Sequence, residues 1–309
     1  MSAVAAFDYH NVKAFLHDPD LIRLLCADRP YATLLQDFSA DDFLAIDPAM
    51  KVPFFAEVRD YVGAAERDDP TAQWIVKRIP EENVLGASMG AICFFLDFCT
   101  HTISAPTVVT RIGGGLYKAT RIISRAEQLS GANYTEIRQL KEQLVLDLVN
   151  RWIYGDEDRN PNNYLIRYNS RNDQVIIAID FSNVDLLHAG TKITGIAKSF
   201  GWERREKTRY LTPLKVEHFQ GYDMAFFDQR FDGFRKLGKK MLQDLCRTCL
   251  RFHPDRAKLA RTAADNLLAR IDYVHTYFSG KFPARAAAEN KDKYADMGQT
   301  FTRIYKEKR

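Results

Sequence analysis

Between Gly155 and Phe181 the chain concentrates side chains that hold hard cations. The loop Gly155-Asp156-Glu157-Asp158-Arg159-Asn160-Pro161-Asn162-Asn163 is followed by the apolar run Ile176-Ile177-Ala178-Ile179, which ends in Asp180. Carboxylates and carboxamides crowded into one loop are costly unless they bind something. Magnesium suits them, because it takes oxygen ligands and keeps positions open for water and phosphate. Phosphoryl transfer needs a carboxylate to orient or deprotonate the attacking hydroxyl, an Asn and an Asp on the metal, and a strand lysine on phosphate oxygens. Asp158, Asn163, Asp180 and Lys77 offer those groups. The bland alternative is a solvated acidic turn whose Asp and Asn cap neighbouring backbone. Such a turn needs neither a partner Asp at the end of the next hairpin nor a lysine on an upstream strand.

The elements that must position these groups follow from pattern. Ile137, Leu140, Leu144, Leu148 and Ile153 fall near one stripe, with Glu136, Lys141 and Glu142 facing away, so a helix leads into the loop; Thr135 can cap its start and Gly155 its end. Tyr164 to Tyr168 and Gln174 to Asp180 form a hairpin around Asn169 to Asp173, which returns Asp180 beside the loop. Upstream, strand-like runs cover Phe54 to Val58 and Trp74 to Ile79, the second carrying Lys77, with a polar loop from Asp60 to Gln73 between them. A helix from Gly86 to Thr100 precedes strands Thr107 to Ile112 and Leu116 to Ile123, and Gly113-Gly114-Gly115 reads as their hairpin turn. Helix-like stretches near Val12 to Leu25 and Asp41 to Ile46 suggest a helical extension over residues 1–50. After Pro213 the pattern is helical, near Met224 to Phe252 and Asp255 to Phe278. The expected architecture is α+β: a small strand-rich N-lobe over 51–128 and a larger helical C-lobe over 129–309.

Composition sets the class. Of 309 residues, 46% are hydrophobic, enough for a substantial core, and 44 basic against 40 acidic residues leave a net charge of only +4. That balance gives no electrostatic reason to expect a nucleic-acid partner. Five cysteines form an odd set, read as reduced thiols in a cytosol-like compartment. The N-terminus lacks a basic start followed by an apolar stretch, and the longest apolar run, Ala91 to Phe98, is interrupted by Asp97. The expectation is a cytoplasmic protein with no transmembrane segment; export by a signal-independent route would leave no trace in such a sequence.

The catalytic stretch resembles that of the atypical kinases that include the HipA-like bacterial toxin kinases and the phosphatidylinositol 3- and 4-kinases. Their loop reads roughly G-x-x-D-R-x-x-x-N before a hairpin ending in a metal-binding Asp, and Gly155, Asp158, Arg159, Asn163 and Asp180 match it. The resemblance spans about Pro53 to Asp185. It implies a two-lobed protein-kinase-like fold with ATP and Mg2+ between the lobes. Asp158 would be the catalytic residue, Asn163 and Asp180 the metal ligands, and Lys77 the phosphate lysine. Ser124, Arg125 and Ala126 would lie in the segment, ending at Gln128, whose backbone meets adenine. Three departures stand beside it. The stretch available to cover phosphate, Asp60 to Gln73, is acidic with one glycine; the helix after Lys77 offers only Glu81, Glu82 or Asp97 as a partner for that lysine; and Asp180 is followed by Phe181-Ser182 instead of Phe-Gly.

Other features have plainer readings. Lys77 alone reads as a solvated strand lysine, and if it does not grip phosphate, Arg78 beside it is the next candidate. Cys246, Cys249 and His253 could suggest zinc, yet a C-x-x-C inside an amphipathic helix is more often core packing. The triple glycine follows Lys77, where a phosphate cradle would precede it. The tail Lys291 to Arg309 reads as a solvated helix. A protein Ser or Thr hydroxyl is the favoured acceptor. A lipid acceptor of the phosphatidylinositol type, served by Arg204, Arg205, Lys207 and Arg209, and a catalytically dead kinase-fold interaction module are the alternatives.

Overall fold

The computed structural model describes residues 43–45, 61–66, 73–100, 102–112, 115–156, 158–168, 172–188, 214 and 216–283. The expected helix near Val12, the strand Phe54 to Val58, the basic group Arg204 to Arg209 and the tail beyond Lys291 lie outside them. Five antiparallel strands make one sheet: β1 (Phe43–Ala45), β2 (Tyr61–Glu66), β3 (Gln73–Arg78), β4 (Thr107–Ile112) and β5 (Gly115–Arg121), in spatial order β1-β2-β3-β5-β4. β4 and β5 pair as the expected hairpin, with Ile112 opposite Gly115.

Two expectations fail in this sheet. Asp41 to Ile46 reads as helix-like, but Phe43–Ala45 is a strand paired with Ala64–Glu66. Asp60 to Gln73 reads as a loop, but Tyr61–Glu66 pairs along β3, with Val62 opposite Val76. Tertiary pairing overrides weak local preference in both cases, since segments this short gain more from a ladder of backbone hydrogen bonds than they lose in propensity.

Helix α1 (Val84–Cys99) follows β3, and its apolar run is buried almost without interruption from Ser88 to Cys99. Glu81–Cys99 is, among the described residues, the one stretch long and apolar enough to cross a membrane; 72% of it is buried inside the protein, the position of a core helix. Helix α2 (Arg138–Tyr154) starts after Ile137, later than a Thr135 cap would place it, because Asn133 to Ile137 forms a turn in which Ile137 N donates to Asn133 O at 3.2 Å. Its buried set includes Glu142, Asp147, Asn150 and Arg151 as well as its leucines, so it is a central helix and not the half-exposed one that the stripe suggested. A three-stranded sheet, β6 (Glu127–Gln128), β7 (Tyr164–Tyr168) and β8 (Gln174–Ala178), lies against α2 in the order β6-β7-β8. Helices α3 (Met224–Cys249, kinked at Gly238) and α4 (Arg256–Lys281) pack together through Phe227 and Phe278, whose ring centroids are 4.9 Å apart.

A buried polar network ties α1 to α2. Arg151 reaches Asp97 at 2.6 Å and Asp147 at 2.7 Å, with all three side chains removed from solvent. Asn150 and Tyr154 each donate to Asp97 Oδ1 at 2.8 Å, and Tyr164 of β7 donates to Asp147 Oδ2 at 2.5 Å. Burial opposes the charge on Arg151, but Asp147 and Asp97 more than offset it and hold the guanidinium protonated well beyond its usual range. Asp97→Ala leaves the guanidinium with one counter-ion, takes the carboxylate acceptor of Tyr154 and removes one of the acceptors of Asn150. It should cost about 3–5 kcal/mol of folding stability, the range for breaking a buried pair on one side. Urea unfolding should show this as a lower midpoint at unchanged slope; an unchanged midpoint would remove the network from its structural role.

Candidate functional site

Gly155 ends α2 at φ +63, and its amide bonds back to Arg151 and Trp152. A Cβ there would meet Arg270 Nη1 at 3.2 Å and Asp185 O at 3.4 Å, so both conformation and space favour glycine. The chain then turns inward. Asp156 is buried, accepts from Asp158 N at 3.3 Å and faces Arg159 Nε at 2.9 Å. Burial pushes its carboxyl above the ordinary range, with Arg159 and Arg151 pulling the other way.

Arg159, also buried, is the residue that assembles the site. Its guanidinium donates to Asn163 O at 3.3 Å, to Ile179 O at 2.7 Å and to Asp180 O. Two rings sandwich it, Tyr164 at 5.2 Å and Phe181 at 5.2 Å from its central carbon. One side chain therefore joins the start of the loop, its end and the residue after β8. Hairpin register completes the arrangement. Tyr164 pairs with Ala178, so Asn163 and Ile179 are the next residues at the open end, and Ile179 N donates to Asn163 O at 2.9 Å. Beyond β8 the backbone is fixed on its outer side as well: Ala178 N donates to Ile103 O at 2.9 Å and Ala105 N to Ala178 O at 2.8 Å. Gln143 clamps the same strand, donating to Gln174 O at 2.8 Å and accepting from Ile176 N at 2.9 Å.

The three candidate residues come together at this end. Asp158 is half-buried; its Oδ1 accepts from Asn160 at 3.0 Å and its Oδ2 from Asn183 at 3.2 Å. Asn163 donates through Nδ2 to Asp158 O at 2.5 Å, which turns its carboxamide oxygen the other way, available as a ligand. Asp180 sits at φ 54, a region that costs a non-glycine residue of order 1–3 kcal/mol and is found at functional sites. Phe181 beside it is buried against Gly90 of α1, whose Cβ position lies 3.5 Å from Phe181 Cβ, and under Arg151 at 5.0 Å. Asn163 Oδ1 and the Asp180 carboxylate are hard oxygen donors, and two protein donors are what magnesium takes when phosphate and water fill its remaining positions. Among the described residues no three His, Cys, Asp or Glu side chains gather as a metal-ligand set.

Lys77 lies on β3 directly opposite Lys118 of β5. Cross-strand partners share a face of the sheet, and Lys118 feels the charges of both Asp180 and Lys77. That lysine was not singled out from the sequence. Strand order β3-β5, which brings it beside Lys77, is a long-range pairing that no local pattern encodes. Arg78 is no substitute for Lys77, since successive strand residues point to opposite faces. Asp97 is withdrawn as a partner for Lys77 by its pairing with Arg151, and Glu81 and Glu82 are exposed in a 3-10 turn. Asn183, which holds Asp158, also escaped notice, because nothing in its neighbourhood marks it.

The connector from β5 to β6 carries Ser124, Arg125 and Ala126. Ser124 and Arg125 are exposed, Arg125 at φ 55, while Ala126 packs on the core. Arg167 of β7 donates to Ser124 O and, at 3.3 Å, to Ser124 Oγ. Cys246 and Cys249 are buried in α3 as free thiols packed in the core, and burial pushes Cys249 up to about 12 and Cys246 higher still.

No protein-family model matches the sequence, and no curated protein matches it. Among solved structures, the crystal structure of a Helicobacter pylori proinflammatory kinase, CtkA, aligns with 71% of this chain and 91% of its own length, at 12% identity and a TM-score of 0.48. At that similarity the likeness fixes neither the fold nor the activity of this chain, whose described residues mix helices with two small antiparallel sheets.

Proposed function

We propose that the chain is a magnesium- and ATP-dependent phosphotransferase with a two-lobed, kinase-like arrangement, acting on a protein Ser or Thr hydroxyl as the HipA-like resemblance implies. The observation that carries this reading is the assembly of Asp158, Asn163 and Asp180 at one end of a hairpin by the buried Arg159. A solvated acidic turn would have no use for a guanidinium spent on backbone carbonyls of Asp158, Asn163, Ile179 and Asp180, nor for an Asp held at φ 54.

The chemistry follows from what each residue can do. Asn163 Oδ1 and the Asp180 carboxylate would hold Mg2+, which supplies charge neutralisation for phosphate oxygens when bound. Asp158, its two oxygens held in orientation by Asn160 and Asn183, accepts the proton of the acceptor hydroxyl. The hydroxyl oxygen bonds to the γ-phosphorus while the bond from that phosphorus to its bridging oxygen breaks, and ADP leaves. Lys77 holds phosphate oxygens, and the connector Ser124 to Ala126 meets adenine. A second reading, an inactive kinase-fold module, draws on one finding: Asp97, the one acid that α1 could offer Lys77, is committed to Arg151.

Asp158→Asn should bind ATP nearly as well as the parent chain yet transfer phosphate at least about 100-fold more slowly, as expected for loss of a positioned acid-base group. Incubation with labelled ATP, read on protein and on lipid, measures the rate and identifies the acceptor class; an equally active variant would sink the assignment of Asp158. An ATP-binding parent chain that labels neither acceptor would favour the inactive module. Asp180→Ala should differ in kind, because it removes a metal ligand and so loses nucleotide binding along with turnover. Its check is thermal stabilisation by ATP across a magnesium titration, where a response equal to that of the parent chain would exclude Asp180 from the metal.

A further inference from the structure

Lys118 occupies a position for which the sheet itself has no use. It lies on β5 between Lys77 of β3 and Val109 of β4, both directly opposite it, and Val109 is buried. Like charges directly opposite each other across a ladder are destabilising, and a partly buried ammonium also loses hydration. An apolar residue would satisfy a sheet neighbour such as Val109 at no such cost. Burial lowers the lysine's proton affinity, Asp180 raises it and Lys77 lowers it again. The charges that bear on Lys118 therefore belong to the candidate metal ligand and the candidate phosphate lysine. Two ammonium groups side by side are relieved when a polyanion arrives, because each gains a charge-assisted hydrogen bond and their repulsion is neutralised.

The segment between β2 and β3, Arg67-Asp68-Asp69-Pro70-Thr71-Ala72, contains no glycine and two carboxylates. Its composition is ill suited to a cradle of backbone N–H groups around phosphate. Among the described residues the five-stranded sheet offers two other donors, Lys77 and Lys118.

We propose that Lys118 and Lys77, directly opposite each other on neighbouring strands, together form a two-lysine clasp for the polyphosphate of the nucleotide. The proposal rests on the phosphotransferase reading and assigns to the sheet the phosphate grip that the glycine-poor segment lacks. Lys118 is a binding residue here, and its ammonium touches the transferable end of the nucleotide.

The test is isothermal titration of the full chain and of Lys118→Met, Lys118→Gln and Lys118→Arg, in magnesium, with ATP, adenosine and inorganic tripolyphosphate as separate titrants. Met and Gln at 118 should each weaken ATP and tripolyphosphate by about 10- to 100-fold, the size of one lost charge-assisted contact. Adenosine binding should stay unchanged in both, and Lys118→Arg should recover most of the loss. Parallel losses for ATP and adenosine would mean that Lys118 only supports the fold, which overturns the clasp. ATP binding by Met and Gln within about twofold of the parent chain would also overturn it, while leaving the phosphotransferase reading intact. A parent chain that binds neither ATP nor tripolyphosphate would end both.

Discussion

Arg151 is the charge around which the described structure is organised. Placing a guanidinium in the interior costs several kcal/mol in lost hydration, and only close, well-directed counter-ions offset it. Asp147 is supplied by the same helix and comes with the sequence of α2. Asp97 comes from α1 and must be brought there by packing. The position of α1 against α2 is thus constrained far more tightly than apolar contact alone would require, because a displaced apolar face loses contact gradually whereas a displaced ion pair exposes an uncompensated charge. The constraint spreads outward: Tyr164 links Asp147 to β7, and Arg230 of α3 donates to Thr100 at the end of α1.

The candidate site inherits its geometry from this core. Phe181 is packed under Arg151 and against Gly90, so the residue after Asp180 is anchored to both helices. Arg159 then fixes the backbone of Asp180 from the loop side. Held from both directions, Asp180 can occupy a conformation that a free chain would leave, and the strain is carried by the buried network. Such pre-organisation has a chemical use. A carboxylate that is already in place need not be ordered when a metal and its phosphate arrive, and that ordering would otherwise subtract from binding.

Two kinds of basic residue divide the work. Arginines 151, 159 and 270 are buried among carbonyls, carboxylates and rings, where a planar fork satisfies several acceptors at once. Lysines 77 and 118 stand directly opposite each other on one face of the five-stranded sheet. A compact ammonium on a flexible stem makes a poor scaffold and a good grip on a mobile anion. The permanent acceptors are thus met by arginine, and the facing pair is lysine.

Much of this was legible along the chain. The loop from Asp158 to Asn163 and the hairpin to Asp180 could be read directly, because their signals are local: acidic and amide residues at short spacing, a glycine that ends a helix, an apolar run after a polar turn. Helices α1 to α4 and the β4–β5 hairpin were legible for the same reason, each having its own period or turn. The strands Phe43–Ala45 and Tyr61–Glu66 were not, since runs this short carry no readable alternation and are defined by the strand they pair with. Lys118 and Asn183 escaped for a related reason: each acts through a partner far away in sequence, reached by strand pairing or by a returning loop. Asp97 shows the limit in reverse, for it read as a possible partner of Lys77 and its carboxylate belongs to Arg151. The sequence by itself determined which side chains were available and the local elements that present them, because periodicity and turn chemistry act over a few residues. Only the tertiary structure decided which charges meet, because ion pairing and strand order depend on distances that the linear chain does not contain.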